Sequence, residues 1–75
     1  MQIVPRRPAD LGTAIAEFRA ARGLTQSELA REAGLNRTYL SNIERGEVPE
    51  FVRRYFALLG VLGLEVTIND GRSQP

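Results

Sequence analysis

A chain of 75 residues with ten basic and nine acidic side chains, net charge +1, has room for one domain and one modest core. It contains neither cysteine nor histidine, which excludes disulfides and nearly every structural zinc arrangement. Without those residues, and with no paired acids in a plausible cleft, general acid–base and nucleophilic machinery is hard to assemble, so neither an enzyme nor a metal or cofactor is expected.

There is no long apolar run and no signal-peptide layout, which predicts a soluble, cytoplasmic protein with no membrane partner. All ten basic residues are arginine, suited to bidentate contacts with phosphate and guanine. The near-zero net charge leaves any nucleic-acid surface to the placement of those arginines rather than to their sum.

Residues 1–8, MQIVPRRP, carry two prolines and two arginines without helical period and read as a flexible amino-terminal arm. The arm is either frayed or, through Arg6 and Arg7, a contact for phosphates or a minor groove. Asp10 is the predicted cap of a first helix, in which Leu11, Ala14, Ile15, Phe18 and Ala21 recur at helical spacing. Gly23 ends that helix. Thr25 and Glu28 form a capping box for a second helix over Gln26 to Ala33, with Leu29, Ala30 and Ala33 inward and Arg31 and Glu32 toward solvent. Gly34 stops it, and Asn36 caps a third helix, Arg37 to Arg45, held to the core by Leu40 and Ile43. A fourth runs from Glu50 to Leu62 with Val52, Tyr55, Phe56, Leu59 and Leu62 apolar, and close packing is the expected reason for its interior Gly60.

After Gly63 the period changes from helical to alternating. Leu64, Val66 and Ile68 alternate with Glu65, Thr67 and Asn69, which predicts a strand. A lone strand leaves its backbone groups unpaired, so pairing with the same strand of a second subunit across a two-fold axis is expected. Leu64, Val66 and Ile68 are then the dimerisation residues, covering Leu59 and Leu62. Residues 71–75 read as a disordered tail.

The most informative stretch is 25–46, TQSELAREAGLNRTYLSNIERG. Two short helices meet through Gly34-Leu35-Asn36, Ala30 lies where their axes come closest, and Leu40 and Ile43 pin the second to the core: a helix-turn-helix. Over residues 11–63 the chain resembles the phage-repressor-like helix-turn-helix proteins (the Cro, C1 and Xre type). The resemblance rests on Arg19, Gly23, Leu24, Thr25, Gln26, Glu28, Leu29, Ala30, Gly34, Leu35, Asn36, Leu40, Ser41, Ile43, Glu44 and Gly46.

That resemblance implies an all-α, four-helix lambda-repressor-like DNA-binding domain over 9–63; where such proteins usually continue with a fifth helix, this chain departs and has the predicted dimerisation strand at 64–70. It implies a homodimer on double-stranded DNA bearing an inverted repeat. Arg37, Thr38, Ser41 and Asn42 are the implied base readers, Arg37 suited to guanine and Asn42 to adenine. Gln26, Ser27, Tyr39 and Arg45 are the implied phosphate contacts, with half-buried packing an alternative for Tyr39. Arg19 and Glu44 read instead as members of structural ion pairs. The ending LGLEVTIND is similar in length and alternation to that of the HipB-type antitoxins, whose dimers repress their own operon and bind a HipA-type serine/threonine kinase toxin. Two alternatives remain: a stand-alone repressor without a toxin, and a protein-interaction adaptor that does not bind DNA.

Overall fold

The computed structural model describes residues 1–71; the predicted tail therefore lies, beyond Gly71, outside the described residues. Chain order is β1 (Gln2–Ile3), α1 (Asp10–Ala21), α2 (Gln26–Ala33), α3 (Arg37–Glu44), α4 (Glu50–Leu62) and β2 (Ile68–Asn69). No helix among the described residues is long and apolar enough to cross a membrane.

Local chemistry explains the helix ends. Thr25 Oγ1 accepts from the Glu28 amide at 3.1 Å while Glu28 Oε1 accepts from the Thr25 amide at 2.8 Å, so the predicted box starts α2. Asn36 Oδ1 accepts from the amides of Thr38 and Tyr39, so α3 starts where expected. It ends one residue earlier than predicted, with Arg45 as its cap. Asp10 behaves differently from its prediction. Ala9 occupies the cap position of α1, and the Asp10 carboxylate reaches back to the amides of Arg6 and Arg7 at 3.0 and 2.9 Å. A turn beginning at Arg7, with Asp10 N–H donating to Arg7 O, precedes the helix, so Asp10 serves the position usually held by the acid of a capping box. These two amides, Arg7's first, lower its carboxyl pKa.

α1 and α2 both pack on α3. Ala14, Ala30 and Leu40 are the buried core side chains of the helices among the described residues. The meeting of α1 with α3 turns on Gly12. A Cβ there would stand 1.9 Å from the Ile43 carbonyl oxygen, whereas Gly60, the predicted close-packing glycine, has nothing within 4 Å. Ala33, expected inward, is exposed.

The carboxy-terminal strand is shorter than predicted and finds its partner within the chain. Gly63, at φ +70°, closes α4, and the Leu64 amide donates to Leu59 O at 2.8 Å, so Leu64 belongs to the helix end and not to a strand. β2 pairs antiparallel with β1, Gln2 opposite Asn69 and Ile3 opposite Ile68. The Met1 ammonium lies 3.0 Å from Asp70 Oδ1 and Arg6 bridges Glu65 at 3.2 Å. The arm thus follows the carboxy-terminal segment, with Pro5 buried, and supplies on one edge the partner that a second subunit was expected to provide.

Candidate nucleic-acid interface

α2 and α3 are joined by Gly34, Leu35 and Asn36. Gly34 adopts φ +72°, a conformation that costs glycine nothing, and the Leu35 amide donates to Ala30 O at 2.8 Å to finish α2. Ala30, 2% exposed, lets the two helices cross closely. Leu40 anchors α3 from behind at 3% exposed.

A charged network fastens this unit to α1. Arg19 Nε donates to Glu44 Oε2 at 2.7 Å and its Nη2 to Glu44 Oε1 at 3.0 Å, while Nη1 donates to the Leu24 carbonyl at 2.8 Å. Gln26 Nε2 donates to the same Glu44 Oε1 at 2.9 Å. The Glu44 carboxylate is 6% exposed, with every hydrogen bond it receives coming from another helix or its cap region. Hydrogen bonding from Arg19, and then from Gln26, outweighs burial and lowers the Glu44 pKa; the same carboxylate raises that of Arg19. In the sequence Arg19 and Glu44 stand as separate structural residues and Gln26 as an expected phosphate contact. The fold makes the three one cluster, 25 residues apart at its widest.

Along α3, Arg37, Thr38 and Tyr39 are exposed and Ser41 and Asn42 half-buried. At 100° per residue, Thr38, Ser41, Asn42 and Arg45 fall within an arc of about 100° opposite Leu40 and Ile43. The four form one polar stripe. Arg45 bends over it, donating through Nη1 to Ser41 Oγ at 3.2 Å and through Nη2 to Asn42 Oδ1. Tyr39, 57% exposed, lies to one side, on an open groove of about 570 Å³ that Asn42, Ile43, Val48 and Val52 also line. Ser27 is exposed at the start of α2, beside Gln26.

The expected dimerisation residues are dispersed: Leu64 is exposed, and Val66 and Ile68 are half-buried under the chain's own arm. A larger apolar surface lies on α4. Phe51, Tyr55, Leu58 and Leu62, at four-, three- and four-residue spacing, are 74%, 52%, 63% and 68% exposed, and Val61 beside them is 87% exposed. The Phe51 and Tyr55 rings stack in tilted fashion 6.1 Å apart. The spacing of these residues is a legible signal; of them the sequence marks Tyr55 and Leu62 as apolar positions of the helix, Leu62 as surface for the carboxy-terminal strand to cover.

Residues 10–67 match the helix-turn-helix domain family. The immunity repressor protein of Bacillus phage phi105 is 39% identical over 57 residues, which are 76% of this chain and 40% of that repressor. Antitoxin HipB of Escherichia coli strain K12 is 32% identical over 66 residues, 88% of this chain and 75% of the antitoxin. HipB of Escherichia coli O6:H1 gives the same identity, over 70% of its length. The chain therefore spans less than half of the phage repressor and most of the antitoxins. No solved structure matches significantly.

Proposed function

The chain belongs to the helix-turn-helix domain family, and from that premise we propose that it is a cytoplasmic, dimeric, sequence-specific DNA-binding repressor, acting in an operon as a HipB-like antitoxin. The observation that carries the DNA reading is the polar stripe of α3, exposed on one side and fixed to the core by Leu40 and Glu44 on the other. A helix held so rigidly can be inserted into the major groove without reordering. Arg37, Thr38, Ser41 and Asn42 read base edges, with Arg45 bonded to the last two; Gln26, Ser27 and Tyr39 stand beside the sugar–phosphate backbone. An adaptor without DNA binding has no use for this stripe.

The test is fluorescence anisotropy of the protein with a duplex from its own upstream region, over a salt series. Affinity is expected to fall steeply and log-linearly with salt, and the operator to be an inverted repeat with half-sites about one helical turn apart. Arg37→Ala is expected to cost ~1–3 kcal/mol at one base pair, whereas Gln26→Ala weakens all sequences alike. No preference for that duplex over random DNA at any salt would remove the repressor reading.

The apolar α4 stripe supports a second copy as the dimer partner. Its five large apolar side chains are each more than half exposed, and contiguous exposed apolar patches of this kind mark protein–protein surfaces. Leu58→Glu, at a position already solvated in the single chain, is expected to yield a folded monomer by sedimentation and to lower operator affinity at least tenfold. If Leu58→Glu stays dimeric while Val66→Asp dissociates, the carboxy-terminal strand is the interface instead.

The likeness to HipB along 88% of the chain favours the antitoxin role, and the phage repressor's higher identity favours a stand-alone repressor. A HipA-like serine/threonine kinase encoded beside this gene and inhibited by this protein would establish the first. Absence of such a neighbour would leave the second.

A further inference from the structure

We propose that Arg45 sets the base preference of the α3 stripe by turning Ser41 and Asn42 into hydrogen-bond donors, matched to guanine rather than adenine. This rests on the DNA-binding reading above. A guanidinium carries five donor N–H groups and no acceptor. The atom of Asn42 that meets Arg45 must therefore be the amide oxygen, and Nδ2 with its two hydrogens is turned away. Ser41 likewise receives Arg45 on its oxygen at 3.2 Å and keeps its own hydrogen to donate elsewhere.

Left alone, both side chains are ambivalent. Asn reads adenine with oxygen and nitrogen together, accepting from N6 and donating to N7. Here that oxygen is engaged by a cation on the same face, which also repels any N–H that a base presents. Adenine N6 and cytosine N4 are such donors; guanine O6 and N7 are both acceptors. The stripe thus offers the Asn42 amide hydrogens and the Ser41 hydroxyl, donors both. Arg45 acts here as a positioning residue, through Asn42 and Ser41, and the pairing holds their rotamers before DNA arrives.

The experiment is selection of binding sites from a randomised duplex library by the full chain and by Arg45→Ala, Asn42→Ala and the double variant. Arg45 is exposed, and unchanged helical circular dichroism verifies that the variants fold. The wild type is expected to enrich guanine roughly tenfold at the base pair whose preference Asn42→Ala abolishes. Arg45→Ala is expected to shift that pair toward adenine, and the double variant to match Asn42→Ala. Enrichment of adenine by the wild type overturns the proposal and leaves the repressor reading intact. So does an Arg45→Ala variant that binds every sequence more weakly by one common factor, since a phosphate contact does no more than that. A wild type that enriches no sequence overturns both.

Discussion

Gly12→Ala is expected to leave the chain unfolded or nearly so at room temperature. The added methyl group would sit 1.9 Å from the Ile43 carbonyl oxygen, 3.0 Å from its carbon and 3.2 Å from the Glu44 carbonyl carbon, all main-chain atoms that cannot swing aside. Relief requires α1 to draw back from α3, which loosens the contacts of Ala14 and Leu40 and stretches Arg19 from Glu44. Overpacking of this kind costs about 3 kcal/mol or more, a large part of what a domain of this size has. Thermal melts followed by circular dichroism decide it, with Gly60→Ala as the control. At that exposed, unencumbered position the same methyl is expected to raise the melting temperature, by up to ~1 kcal/mol in stability. A Gly12→Ala protein that melts like the wild type would mean that α1 does not approach α3 so closely.

The second large effect is expected at Glu44. Replacing it with glutamine removes the charge that Arg19 and Gln26 converge on, and sets an amide N–H against their donors. The loss is about 2 kcal/mol at neutral pH. Because the Glu44 pKa is lowered in the folded chain from its ordinary 4.5, its contribution is complete above that value. It declines as pH falls below 4.5 and is gone once the folded-state carboxylate is protonated. The gap between wild type and Glu44→Gln in urea unfolding is therefore expected to be widest near pH 7 and to narrow steadily in acid. Asp10 and Glu28 also have lowered pKa values, from the amides of Arg7 and Arg6 and of Thr25 respectively, so the variant retains some acid sensitivity. A gap independent of pH would show that Glu44 acts by shape alone.

What could be read without coordinates was what the chain decides within four residues. The box at Thr25 and Glu28, the Asn36 cap and the glycines at 34 and 63 each close a ring of atoms between near neighbours, so α2 and α4 run as predicted and α3 differs by one residue. The two interior glycines show the limit of that logic. Gly12 and Gly60 look alike in sequence, each a helix interior without a side chain, and only the position of α3 tells which one is pressed against a neighbour. Arg19, Gln26 and Glu44 were each noticed, but nothing local ties them together. The arm was the largest miss. Its partner is two residues of strand at the other end of the chain, too short to leave a periodic signal. Arg45 fell between. Its spacing to Ser41 and Asn42 is a helical one, but the same position equally suits a phosphate contact.

The β1–β2 ladder has a kinetic consequence. The helices meet through nearby parts of the chain and can assemble quickly, whereas the ladder joins residues 67 positions apart for only two residues of pairing. Closing so long a loop adds entropy cost and little compensating contact, so the ladder is the last native feature to form and the first to open. Its opening leaves Leu40 and the helices around it in place. Exchange of arms between two copies therefore runs at the speed of a local fluctuation, and it becomes appreciable only near the millimolar effective concentration at which the tethered strand meets its own partner.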